Sequence, residues 1–168
     1  NDKNAFPSGI SEQHCIRPDT EIEYHIRFQN TGTDTAFRVV VRDTLSEFLN
    51  VESLRPGASS HEYDFKLLEN NIAQFTFDNI MLPDSNVNEP ASHGFFKFRI
   101  AQKSNNSIGT LIENDAAIYF DFNEPIITNT VFHTVDTMCL ISIILEKEFE
   151  LFEHVKVFPN PFRTQTTF

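Results

Sequence analysis

The chain has 168 residues, 40% of them hydrophobic, with 18 Phe and no Trp, enough for one well-buried core and short for two. Thirteen Lys and Arg stand against 24 Asp and Glu, a formal charge of -11. With no basic cluster to offset that field, a nucleic-acid partner is excluded, because the phosphate backbone would be repelled. Leu140-Ile-Ser-Ile-Ile-Leu145 is the longest aliphatic cluster and is too short to cross a bilayer, so no transmembrane segment is expected.

In chain order, residues 1–19 carry Pro7, Gly9 and Pro18 and read as a lead-in that can place an edge strand. Asn1-Asp-Lys-Asn4 has no apolar run behind it, so it opens no signal peptide. Ile22, Tyr24, Ile26 and Phe28 alternate with Glu23, His25 and Arg27, the period of a strand with one buried face. After a polar turn centred on Gly32, Phe37, Val39 and Val41 form one face of the next strand, with Arg38, Val40 and Arg42 on the other. Asp43 to Ser46 is expected to cap a short helical turn. Val51 to Leu54 is a short strand, and Arg55-Pro56-Gly57 a turn.

Tyr63 to Leu67 and Ile72 to Phe77 form a hairpin around Asn70-Asn71, residues that tolerate positive φ. Pro83 to Ser92 is a polar loop. Gly94 to Ile100 resumes as a strand, Thr110 to Phe122 is the longest strand-like run, and Ile126 to Val135 is the last. These spacings predict an all-β, immunoglobulin-like Greek-key β-sandwich of seven or eight strands, since each sheet must hide one apolar face. The Phe-rich interior fits the layer of about 10 Å between two packed sheets. Domain bounds follow: lead-in 1–19, sandwich 20–135, linker 136–153, and the truncated start of another unit at 154–168.

Chemistry-bearing motifs are sparse. No nucleophile elbow, Walker loop or His-Glu-x-x-His is present, so no enzyme is expected. Asp84, Asn86, Asn88 and Glu89 place hard oxygen donors along the polar loop, a candidate calcium site and the one candidate cofactor. It is no EF-hand, because Glu89 stands where Gly is needed and Phe95 where Glu is needed. Asp121 and Glu124 could form a glycosidase-like pair only across a cleft, and backbone satisfaction is the competing role. Asn30, Asp34 and Asn114 read as turn and register residues. A self-formed Lys to Asn crosslink is a further candidate, with Lys97 and Asn114 as the pair. Cys15 and Cys139 either pair across most of the chain or stay separate thiols. His25 has the solvent-facing parity of its strand.

Two segments carry a resemblance. Ile26-Arg-Phe-Gln-Asn-Thr-Gly-Thr-Asp-Thr-Ala-Phe37, Val41-Arg-Asp-Thr-Leu45, Phe95-Phe-Lys-Phe98 and Ile118-Tyr-Phe-Asp-Phe-Asn-Glu-Pro-Ile-Ile-Thr-Asn129 resemble the immunoglobulin-like conserved repeat domain of large secreted Bacteroidetes proteins. Val155-Lys-Val-Phe-Pro-Asn-Pro-Phe162 resembles the opening of the type A C-terminal (Por) sorting domain of the type IX secretion system, with Phe158, Pro159, Asn160 and Pro161 matching its motif. The later strand motifs of that domain are absent. The resemblance implies a secreted or outer-membrane cell-surface location and a noncatalytic spacer or presentation module. Its implied partners are neighbouring domains of a larger parent and, through a complete sorting domain, the secretion machinery. The alternative is an adhesion module whose loops bind a glycan or protein.

Overall fold

The computed structural model describes residues 1–139. The chain divides into Asn1–Thr137 and Met138–Phe168, and the fold below is that of the first unit. The sorting motif Phe158, Pro159, Asn160 and Pro161 and most of the 136–153 linker lie outside the described residues.

Twelve strands follow in order: β1 (Asp2–Phe6), β2 (Cys15–Ile16), β3 (Ile22–Gln29), β4 (Ala36–Thr44), β5 (Leu49–Ser59), β6 (Asp64–Leu68), β7 (Ile72–Leu82), β8 (His93–Gln102), β9 (Leu111–Asn114), β10 (Ala116–Phe120), β11 (Ile126–Ile127) and β12 (Val131–Val135). One sheet runs β1-β3-β8-β5 and a second β11-β10-β4-β7-β6, while β2-β12-β9 form a third ladder. Apart from the parallel β2–β12 contact, the pairings are antiparallel. This is the expected all-β Greek-key sandwich, with twelve strands among the described residues rather than seven or eight, because short strands form within residues 1–19 and the runs at 110–122 and 126–135 each divide in two.

The core forms where the alternating faces of the two large sheets meet. Ile22, Tyr24, Ile26 and Phe28 of β3 and Phe96, Phe98 and Ile100 of β8 are fully buried, as are Val39 and Val41 of β4 and Phe75 and Phe77 of β7. Rings interleave between the sheets: Phe75 lies 4.3 Å from Phe96 and 5.4 Å from Phe98, and Phe28 lies 5.2 Å from Phe77. Each such ring contributes about 1.5–3 kcal/mol by burial.

Several local expectations are corrected. Phe37 is 55% exposed, because a register irregularity between Ala36 and Arg38 turns it off the face of Val39 and Val41. Asp43 caps no helical turn: β4 continues through Thr44 and the Asp43 carboxyl is buried. Arg55-Pro56-Gly57 is part of β5 rather than a turn, and β5 is an edge strand whose pairing with β8 is interrupted on both sides of Arg55-Pro56. Proline is tolerated on such an edge. Thr110 to Phe122 breaks at Asp115, so β9 pairs with β12 while β10 pairs with β4. Ile126 to Val135 likewise divides into β11 and β12.

Candidate functional site

The strongest chemical feature is a lysine inside the sandwich. Lys3 sits on β1 opposite Ile26 of β3, and the strand turns this charged residue inward while Phe6 is 73% exposed. Its backbone is clamped by Asn129, whose Oδ1 accepts from Lys3 N (2.9 Å) and whose Nδ2 donates to Lys3 O (2.9 Å). The side chain then crosses the core. Lys3 Nζ hydrogen-bonds Asp43 Oδ2 of β4 and Asn114 Oδ1 at the end of β9, with a longer contact to Asp115 O at 3.4 Å.

All three side chains are buried, Lys3 and Asp43 completely. Aromatic walls close the site: the ammonium lies 4.5 Å from the Tyr24 ring centre and 5.7 Å from that of Phe98. Desolvation pushes the Lys3 amine below its ordinary pKa, with Asp43 pulling the other way. The same burial pushes Asp43 up, against the pull of Lys3. Both shifts therefore run toward a neutral amine beside a neutral carboxyl. Asp43 Oδ1 and Asn114 Nδ2 make no hydrogen bond in this arrangement.

A second feature is an open cleft lined by Asn4, Ser8, His14, Asn129, Phe132 and His133, among others. The His14 ring meets Phe132 edge-on at 4.7 Å, and His14 Nδ1 lies 2.5 Å from Ser8 O. His133 is buried beneath, with Nε2 2.9 Å from Pro7 O. Burial lowers the His133 pKa despite that carbonyl.

The residues singled out from sequence are distributed as follows. In the polar loop, Asp84 Oδ1 accepts from Asn86 N (3.0 Å) and Val87 N (3.2 Å), Asn88 Oδ1 accepts from Ala91 N, and Glu89 pairs with His93 at 2.8 Å. Asn86 is exposed. Among the described residues, no group of three His, Cys, Asp or Glu side chains is placed to hold a metal ion. Asp121 Oδ1 accepts from Phe37 N and Arg38 N at 3.0 and 2.8 Å, and Glu124 is exposed. Asn30 bonds Asp34 O, Leu82 O and Gly32 N, the turn role expected of it. His25 is half-buried against Phe95. Neither Cys15 nor Cys139 is a free thiol; both are disulfide-bonded.

The candidate Lys97–Asn114 pair is not brought together, and Asn114, read from the sequence as a turn and register residue, meets Lys3 in the core. Lys97 faces Glu23 on the outer surface at 3.3 Å, and Lys3 occupies the place beside Asn114 instead. Lys3 carried no signal in the sequence, because a five-residue strand with lysine inward and phenylalanine outward inverts the pattern by which a buried face is recognised.

These features define an immunoglobulin-like β-sandwich with a buried Lys3–Asp43–Asn114 centre. The chain belongs to the family described as Domain of unknown function (DUF7619), which matches residues 1–134. No curated protein matches it. Among solved structures it is similar to the major pilin subunit BcpA of Bacillus cereus, at 16% identity and TM-score 0.56 over 81% of this chain and 40% of that one. Two domains of the major pilin SpaD from Corynebacterium diphtheriae match at 14% and 0.51, over 78% and 50%. The C-terminal domain of the antigen I/II polypeptide BspA from Streptococcus agalactiae matches at 13% and 0.51, over 79% and 48%. The chain thus spans half or less of each of these structures, and the likeness is one of fold.

Proposed function

We propose that this chain is a noncatalytic adhesion module of a larger secreted or cell-surface protein. The observation that carries this reading is the open cleft beside β1 and β12. Asn4 and Ser8, both exposed, supply an amide and a hydroxyl, and Phe132 is 36% exposed against His14. Polar groups converging around an aromatic face suit a sugar ring, whose hydroxyls hydrogen-bond while its C–H face lies on the arene. The charge of -11 favours a neutral glycan over a sulfated or sialylated one. The fold shared with pilin and antigen I/II domains supports a surface setting.

A panel of immobilised neutral and anionic glycans tests the idea. Binding to a neutral glycan that is lost in Phe132→Ala, with the variant folded by circular dichroism, is the expected result. Binding that survives Phe132→Ala, or no binding anywhere on the panel, rejects the cleft as a glycan site.

The second reading is a spacer ahead of a type IX sorting signal, supported by the Phe158-Pro159-Asn160-Pro161 resemblance alone. Appending a complete sorting domain after Val157 and following export in a type IX-competent Bacteroidetes host tests it, with retention in the periplasm counting against it.

A further inference from the structure

We propose that Lys3 and Asn114 join in an intramolecular isopeptide bond, formed by the folded domain itself with Asp43 as the proton shuttle. The three residues come from β1, β4 and β9, each in a different sheet or ladder, and meet at one buried point only when the sandwich has closed. Lys3 Nζ touches both the Asp43 carboxyl and the Asn114 side-chain amide. Holding amine and amide in contact gives the reaction the advantage of an intramolecular encounter, which is worth many orders of magnitude in effective concentration.

The surroundings supply what the step requires. An amine attacks only as the free base, and the complete burial of Lys3 removes the solvation that would stabilise an ammonium, against the pull of Asp43 and of the Tyr24 and Phe98 ring faces. Proton transfer from Lys3 to Asp43 gives an amine and a carboxylic acid, the direction in which burial biases both groups. Lys3 Nζ then adds to the Asn114 side-chain carbonyl carbon, forming the new C–N bond. Asp43 delivers a proton to Nδ2 and takes one from Nζ. The old C–N bond breaks, and ammonia leaves. Atoms and charge balance with no oxidant, metal or cofactor: amine plus primary amide gives secondary amide plus ammonia. Asp43 ends as it was after the first transfer, so the reaction runs once per molecule and leaves no activity toward other molecules.

The bond would close a covalent ring from residue 3 to residue 114. Tension entering through β1 would pass directly to β9, leaving the β3–β8 and β4–β7 ladders unloaded. That property suits a surface module, but the crosslink does not depend on the cleft binding anything, so failure of the glycan reading leaves it untouched.

Intact mass of the purified, reduced and denatured full chain is the deciding measurement. The expected mass is lower than that of the sequence by one ammonia, and digestion should yield a branched peptide joining Lys3 to Asn114. Lys3→Ala, Asn114→Ala and Asp43→Asn should each show the full sequence mass, while Lys97→Ala should still lose ammonia. A full sequence mass for the unaltered chain, or an ammonia loss that maps elsewhere, overturns the proposal. Ammonia loss that persists in Asp43→Asn overturns the role of Asp43. Where a variant does not fold, the mass and the branched peptide of the unaltered chain still separate a crosslinked domain from an open one.

Discussion

Individual side chains here owe their roles to which sheet face they occupy. Phe98 is fully buried between Phe75 and Tyr24, so Phe98→Ala is expected to cost about 3–5 kcal/mol in urea unfolding. His25 is on the outer face, and His25→Ala should change stability by less than about 1 kcal/mol. Similar losses for the two would contradict the face assignment. His133 has a depressed pKa in the folded state, so the unfolded chain takes up its proton first on acidification. Its neutral form stabilises the fold fully above the ordinary histidine value of 6.5, and that contribution is lost as pH falls from there through the lower folded pKa. His133→Gln should therefore flatten the decline in stability below that pH, measured as Tm against pH. A decline of unchanged slope would place the acid sensitivity elsewhere, with His25 and His61 the next groups whose burial lowers their pKa.

At the level of elements, close approaches between strands decide what the sequence tolerates. Gly94 of β8 pairs with Phe28 of β3, and a Cβ there would lie 2.2 Å from the Phe28 ring. Gly94→Ala should thus destabilise by about 1–3 kcal/mol through overpacking, and Phe28→Leu in the same chain should recover part of the loss; a second change that only adds to the first would rule out that clash. Asn129 holds β1 in place through both backbone groups of Lys3. In Asn129→Ala the Lys3 amide should exchange with solvent measurably faster than in the parent chain, since its hydrogen bond has gone. An unaltered exchange rate would mean that the β1–β3 ladder alone secures the strand.

For the molecule as a whole, the acidic charge and the polar loop invite a cation, yet one oxygen each of Asp84, Asn88 and Glu89 is already engaged. Asp84 Oδ1 terminates two backbone N–H groups, and Glu89 is paired with His93. Calcium at millimolar concentration is accordingly expected to leave Tm unchanged, whereas a rise that saturates with calcium would show that the loop rearranges around the ion. The buried centre has a different bearing on stability. A fully buried lysine and aspartate offset only part of their desolvation cost as an ion pair, whereas a covalent amide carries no charge to bury.

Much of the architecture was legible along the chain because a sandwich strand advertises its buried face every second residue. β3 and β8 fall where their alternation predicts and the β6–β7 hairpin turns at Asn70-Asn71 as expected, although Leu67 is exposed and β7 runs on to Leu82. Asn30 and Asp121 hold turn and strand-end backbone groups, as short polar side chains do. Local pattern failed where pairing rather than periodicity sets the backbone. The irregularity at Phe37, the course of β5 through Pro56 and the break at Asp115 are each imposed by a neighbouring strand. The Lys3–Asp43–Asn114 centre lies furthest from what a sequence can show, since its members are separated by 40 and 71 positions (43 − 3 and 114 − 43) and none has a neighbour that marks it. Composition and alternation determined that this chain folds as an acidic, Phe-filled sandwich. Only the closure of one sheet upon another decided that a lysine would face an asparagine in the buried interior, because that meeting depends on distances across the core rather than on intervals along the chain.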